Sequence, residues 1–401
     1  MSIHHSSFIT HHFPTVLIKP AGPDCNLACR YCFYSPKAAL YPDTTRHRMS
    51  PETLERFLSE YLPVAGLNPT FGWQGGEPTL MGLDFFRKAV SLQRRLGQDG
   101  QVVGNGLQTN GALIDREWAG FVARWKFLVG ISLDGPAEVH NRYRVNHGGQ
   151  PSLDLILKGL RHLQRQGAEF NALVMVTSYS APRADEVWDF LVGLGVRHLQ
   201  FIPCVEADPQ TGELSEFTVS PDAYGDFLCR AYDRWVADDA PNVFVRDFDD
   251  LLHQYVRGTS PTCLFQERCG SYFVLEHNGD VYACDFFVEP EWRLGNVMKT
   301  PLTELVSGPL FGQFADRKAE LGETCQACEW VSLCHGACPR HRLFRGGQIS
   351  DPSYLCAGYK QLFAHTKPAM EQLVEELRPQ RGLRRWKRTK LPPGLLQDDE
   401  E

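Results

Sequence analysis

The chain has 401 residues, 43% hydrophobic and 22% charged, with 13 cysteines, a globular composition with cysteine far below the roughly 8–10% of a short disulfide scaffold. Forty-one Lys and Arg against 48 Asp and Glu leave a formal charge of −7, which gives no general attraction to nucleic acid or anionic lipid. No apolar run approaches the roughly 18–20 residues of a membrane span, and the first residues lack the charged-then-apolar order of a signal peptide, so the expectation is a cytoplasmic protein that binds neither nucleic acid nor membrane.

In chain order, residues 1–13 read as a flexible leader. From residue 14 to 220 short apolar runs alternate with amphipathic stretches. The candidate strands are Val16–Ile18, Thr70–Gln74, Val102–Gln108, Phe127–Leu133, Asn171–Thr177 and His198–Pro203. Leu83–Leu96, Leu153–Gln166 and Asp185–Leu194 carry the 3.6-residue apolar period of helices. This order predicts an α/β fold with a parallel sheet, a partial (β/α)6 barrel of TIM type. Unusual residues follow the strands: CNLACRYC after the first, GGEPTL after the second, QTNG at the end of the third and SLDGP at the end of the fourth. Parallel α/β folds place ligands at the carboxyl ends of strands, so these clusters point to one active-site mouth. Residues 221–260 read as a helical link. The segment 261–365 is cysteine-rich and irregular and could hardly form a core without metal. Residues 366–401 read as a C-terminal helix and a disordered tail, first basic and then acidic.

In a reducing compartment clustered cysteines suggest metal ligands or redox thiols. Cys25, Cys29 and Cys32 form CxxxCxxC, one thiolate short of a closed zinc or [4Fe–4S] site, which leaves one metal position open. Eight more follow, Cys263, Cys269, Cys284, Cys325, Cys328, Cys334, Cys338 and Cys356, enough for two sets of four. Spacing alone leaves zinc and iron open for these eight. Cys204 and Cys229 remain, read as small buried hydrophobes.

CxxxCxxC after a first strand, with a partial barrel downstream, resembles the radical S-adenosylmethionine (SAM) enzymes. That resemblance implies a [4Fe–4S] cluster on Cys25, Cys29 and Cys32 whose fourth iron chelates SAM. Gly75-Gly76-Glu77 in GGEP resembles the motif that binds the SAM amino group, and Ser132 and Arg144 match positions contacting the ribose and carboxylate. Gln74 and Val205 match further SAM contacts, and Tyr34 an aromatic beside the cluster. The distal cysteines resemble the SPASM extension, which implies an inner cluster on Cys263, Cys269, Cys284 and Cys338 and an outer one on Cys325, Cys328, Cys334 and Cys356, for three [4Fe–4S] clusters in all.

Across about residues 12–365, strings such as KPAGPDCNLACRYCFY, WQGGEPTLMGLDFF and VYACDFFVEPEWRLGNV resemble the anaerobic sulfatase-maturating enzymes. The resemblance implies oxidation of a cysteine or serine, in a CxPxR- or SxPxR-like segment of a sulfatase, to Cα-formylglycine. It implies Asp285 as the base, a flavodoxin- or ferredoxin-type electron donor, and a monomer. Two alternatives stand beside it. One is a SPASM enzyme modifying another ribosomal peptide by thioether or carbon–carbon cross-linking or epimerisation, against which only about a dozen residues precede the first strand. The other is a zinc scaffold or iron–sulfur electron carrier, which leaves GGEP, Ser132 and Arg144 without a task.

Overall fold

The computed structural model describes residues 13–208, 211–239 and 242–377. In chain order it contains β1 (Thr15–Lys19), α1 (Pro51–Tyr61), β2 (Thr70–Trp73), α2 (Leu83–Leu96), β3 (Gly104–Thr109), α3 (Arg116–Arg124), β4 (Leu128–Ser132), α4 (Ala137–Tyr143), α5 (Leu153–Gln166), β5 (Phe170–Val176), α6 (Ala184–Gly193), β6 (His198–Pro203), α7 (Pro221–Arg234), β7 (Phe244–Val245), α8 (Arg246–Arg257), β8 (Tyr272–Glu276), β9 (Asp280–Tyr282) and β10 (Arg293–Asn296). Short helical turns and a C-terminal helix, Cys356–Leu377, follow. The leader and the basic-acidic tail lie outside the described residues. Local chemistry sets the helix ends. Ser50 caps α1 by accepting from Thr53 N, with Pro51 at the first helical position, and Asp115 caps α3 by accepting from Trp118 N. Helix α5 stops at Gly167, which takes the left-handed conformation.

The chain divides into two compact units. Among the described residues the first comprises 13–24, Lys37–Leu107 and Gly270–Phe314; the second comprises Cys25–Pro36, Gln108–Cys269 and 315–377. In the first unit the strands run in the order β10-β9-β8-β1-β2-β3. Strand β1 pairs in parallel with both β2 and β8, and β2 with β3, whereas β8, β9 and β10 are antiparallel neighbours. Phe57 and Tyr61 of α1 close over this sheet, stacked 5.3 Å apart and meeting Phe71 and Phe273 at their edges. All four rings are buried, so they supply much of the apolar area that holds α1 down.

In the second unit β4, β5, β6 and β7 form a parallel series, as the strand-then-helix order predicts. Two expectations are corrected. The third strand begins at Gly104, not Val102, whose side chain is 69% exposed; its N–H bonds to Leu67 O in a surface connection. The segment read as irregular after Cys269 contains β8 to β10. Its Tyr272–Leu275 run is apolar and Asn278-Gly279 turns the β8–β9 hairpin, Gly279 standing at φ +87°.

Candidate functional site

The first unit presents GGEP and Asp285. Gly76 lies so close to residues 23–24 that a Cβ there would stand 2.0 Å from the Asp24 carbonyl oxygen. Gly75, at φ +130°, faces the Gly22 carbonyl and Lys19. The two glycines therefore let one backbone run against another, with Gly76 N donating to Gly22 O and Glu77 N to Asp24 O at 2.8 and 2.7 Å. Glu77 is fully buried and accepts from Thr79 N and Thr79 Oγ1 at 3.0 and 2.6 Å.

Asp285 is 9% exposed and held on both oxygens. Lys19 Nζ pairs with Oδ1, and Gln74 Nε2 donates to Oδ2 at 2.9 Å. Lys19, at the end of β1, is 1% exposed. Its part in this clamp escaped sequence reading, although a lysine closing an otherwise apolar strand is an available signal. Gln74, expected against SAM, here steadies Asp285. Beside it, the Cys284 thiol and the Tyr272 hydroxyl share a hydrogen bond of 3.2 Å.

The second unit carries Cys25, Cys29, Cys32, Tyr34, Ser132, Arg144 and Val205. The three thiols are partly buried, and N–H groups point at two of them. Leu27 N and Asn110 Nδ2 approach Cys25 Sγ at 3.4 and 3.6 Å, and Ser35 N approaches Cys32 Sγ at 3.4 Å. Amides aimed at sulfur are the surroundings that thiolates of an iron–sulfur cluster require, so these residues fit one. Burial pushes the Cys29 thiol up, opposed by the Arg144 guanidinium. Asn110 also holds Asn26 Oδ1 at 2.8 Å, and it belongs to the QTNG string that sequence reading placed at the mouth without choosing a residue.

Arg144 rests on Asp134 through Nε and Nη2, at 2.9 and 3.1 Å. Asp134, 2% exposed, also accepts from the Tyr31 hydroxyl and from Met175 N at 3.0 Å. Burial, the largest single influence, works to raise this carboxyl, but Arg144, His140 and the Tyr31 hydroxyl together hold it below the ordinary range. His140 Nδ1 accepts from Asp134 N at 3.3 Å; burial depresses that imidazole to about 4, so it stays neutral. Ser132 Oγ receives Gln108 Nε2 at 3.1 Å. Tyr34 and Val205 are buried at 2% and 1%. Cys204 and Cys229 are buried as well.

Seven of the eight distal thiols gather within the second unit, whereas Cys284 belongs to the first. Cys325, Cys328, Cys334 and Cys356 line one cavity together with Trp330 and Tyr359, so the four side chains fit a cluster of four irons on chemistry and placement. Burial pushes the Cys334 thiol up to about 12, with Cys356 adding to the effect. Cys263, Cys269 and Cys338 form a second group, in which burial again raises Cys263 and Cys269 and Cys338 contributes to both. Among the described residues no three His, Cys, Asp or Glu side chains converge as the ligands of a single metal ion do. No helix among them is long and apolar enough to cross a membrane.

Comparison with known proteins places these residues in context. The radical SAM superfamily profile matches residues 20–199, and that of an iron–sulfur cluster-binding domain, SPASM, matches residues 263–329. The chain is 36% identical over 385 residues to the serine-type anaerobic sulfatase-maturating enzyme of Bacteroides thetaiotaomicron, covering 92% of each chain. It is 34% identical over 366 residues to the cysteine-type enzyme of Clostridium perfringens, covering 91% of this chain and 99% of that one. A solved structure described as native anSMEcpe with bound AdoMet and Cp18Cys peptide superposes with a TM-score of 0.84 at 34% identity, over 91% of this chain and 100% of the other. The fold is accordingly the expected α/β partial barrel with parallel strands, followed by a cysteine-rich region.

Proposed function

The chain belongs to the anaerobic sulfatase-maturating enzymes, radical SAM proteins with a SPASM domain, and we propose that it oxidises a cysteine or serine side chain of a sulfatase to Cα-formylglycine. In this reading Cys25, Cys29 and Cys32 hold the first of three [4Fe–4S] clusters. Cys263, Cys269, Cys284 and Cys338 hold the inner auxiliary cluster, and Cys325, Cys328, Cys334 and Cys356 the outer one. Gln74, Gly75, Gly76, Glu77, Ser132, Arg144 and Val205 hold SAM, and Tyr34 lies beside the first cluster. When bound, these groups supply the 5′-deoxyadenosyl radical that removes a hydrogen atom from the target Cβ, and a sink for the one electron left behind. Asp285 accepts the proton of the target O–H or S–H, completing the loss of a hydrogen atom, a proton and an electron; a serine thereby becomes the aldehyde directly, and a cysteine becomes a thioaldehyde that water hydrolyses with release of hydrogen sulfide. Lys19 and Gln74 orient its carboxylate, and Asp134 orients Arg144.

The division at residues 14–220, 221–260 and 261–365, a flavodoxin- or ferredoxin-type donor, a monomeric state and a cytoplasmic location belong to the same proposal. The observation that carries the chemistry is the Asp285 carboxylate, buried, held on both oxygens and directly following a cluster cysteine. A carboxylate fixed in this way is placed to act as a general base.

The test is anaerobic incubation with SAM, a reductant and peptides carrying Cys or Ser in a CxPxR or SxPxR context. Wild-type protein should convert one or both peptides to the aldehyde. Asp285→Asn should form 5′-deoxyadenosine at close to the wild-type rate while losing at least a hundredfold in peptide oxidation. Equal loss of both activities would remove Asp285 from the role of base. Abundant 5′-deoxyadenosine from the wild type beside unchanged peptides would point to another substrate.

A further inference from the structure

The cysteine-rich part of the second unit buries two cations, Lys318 at 0% exposure and Arg342 at 2%. Among the described residues neither meets a carboxylate. Lys318 Nζ donates to the carbonyls of Cys263 and Leu264. Arg342 spends Nε on Gly336 O at 2.8 Å, Nη1 on Lys318 O and Ile349 O at 2.8 and 3.1 Å, and Nη2 on His335 O at 2.7 Å. Backbone carbonyls satisfy the N–H groups but do not cancel the charges, and an uncompensated buried ion is heavily penalised.

The groups able to supply negative charge here are thiols. Lys318 bonds the Cys263 backbone itself, and Arg342 bonds the carbonyls of His335, Gly336 and Ala337 in the loop that joins Cys334 to Cys338. The thiols that act electrostatically on Lys318 are Cys269, Cys263 and Cys338, and those that act on Arg342 are Cys325, Cys334, Cys269 and Cys338. Lys318 thus serves the set read as the inner cluster, while Arg342 holds a loop that carries one thiol of each set. A cluster ligated by four thiolates carries net negative charge and becomes more negative on reduction, so a fixed cation beside it favours the reduced state.

We propose that Lys318 and Arg342 are built-in counter-charges of the two auxiliary clusters, with Lys318 raising the reduction potential of the inner one and Arg342 coupling both to a shared positive charge. This rests on the reading of the distal cysteines as iron–sulfur ligands. The two residues are positioning residues for electrons rather than groups that touch the substrate. Together they make the irregular loops of this region a lower-energy place for the electron that peptide oxidation releases.

The test is an anaerobic redox titration of the reconstituted full-length protein, followed by electron paramagnetic resonance after its iron has been counted. Lys318→Gln keeps hydrogen-bond donors and removes the charge. It should hold as much iron as the wild type, yet shift one auxiliary cluster toward oxidation by at least tenfold in the reduced-to-oxidised ratio, 59 mV for a one-electron couple. Lys318→Arg should titrate like the wild type, and the SAM-binding cluster should stay unmoved in both variants. A fully loaded Lys318→Gln protein with unchanged potentials would overturn the proposal. If that variant loses iron, Lys318→Arg decides: retention of iron supports a role for charge, and loss in both variants overturns it. Wild-type protein with iron for the first cluster alone would instead overturn the cluster reading on which the proposal stands.

Discussion

Replacing Asp134 by alanine isolates the network that holds Arg144. The carboxylate is 2% exposed and receives Arg144 Nε and Nη2 at 2.9 and 3.1 Å, the Tyr31 hydroxyl, and Met175 N at 3.0 Å. Arg144 is itself 8% exposed, so Asp134→Ala strands a buried guanidinium, a change that costs about 3–5 kcal/mol. The freed Tyr31 and Met175 donors place the expected value in the upper half of that range. Such a loss is a large share of the roughly 5–15 kcal/mol that stabilises a domain. The assay is urea unfolding followed by both fluorescence and circular dichroism, with coincident transitions required before a free energy is read. Removing the stranded charge as well, in Asp134→Ala/Arg144→Met, should recover at least about 1 kcal/mol relative to Asp134→Ala. The Asp134 carboxyl lies below its ordinary 3.8 in the folded protein, so its contribution is present above that pH and is lost only as pH falls through the lower folded value. A cost under about 1 kcal/mol at pH 7, or strict additivity with Arg144→Met, would refute the idea that this pair is a coupled buried unit.

Three further outcomes are expected. Gly76→Ala forces a Cβ to within 2.0 Å of the Asp24 carbonyl oxygen, so SAM affinity by equilibrium dialysis should fall at least about tenfold as the backbone is displaced; unchanged affinity would remove this close approach from the SAM site. Asp249, with one buried carboxylate oxygen lacking a partner, is raised to about 7, chiefly by burial and then by neighbouring Asp250 and Asp247. Because the folded protein binds this proton more tightly, Asp249 lowers stability as pH rises from about 4 to 7, and Asp249→Asn should add up to about 4 kcal/mol above pH 7 and little at pH 4, read from urea midpoints. Finally, Cys204→Ala and Cys229→Ala should keep wild-type iron content, whereas Cys334→Ala should lose about four irons per chain; colorimetric iron analysis distinguishes them, and equal iron in all three would contradict the assignment of ligands.

The strands and helices were legible where a side-chain period was bounded by breakers. Helices α2 and α5 occupy the spans read from their apolar stripes, each ending at a glycine, Gly97 or Gly167. The β8–β9 hairpin carries its own signal, a Tyr-Phe-Val-Leu run followed by Asn-Gly, yet the segment around it has too little regular period to read as strand. Less accessible were side chains whose task depends on a distant partner. Lys19 and Asp285 are 266 positions apart, and Tyr31 and Asp134 are 103 apart. Period and spacing describe neighbours along the chain and cannot pair such residues. Lys318 and Arg342 defeat composition rules for another reason, since Lys and Arg are ordinarily placed at the surface. Here backbone carbonyls and thiols draw both inside.

The parallel pairing of β1 with β8 sets a timetable for synthesis. Thr15 meets Ser271, 256 positions later, so at roughly 5–20 residues per second the ribosome needs on the order of 13–50 s between them. Through that interval β1 can pair with β2 but has no native neighbour on its other side, and an open strand edge invites pairing with other chains. The hazard in making this protein is therefore concentrated in the nascent chain, and slower translation of its middle third prolongs it.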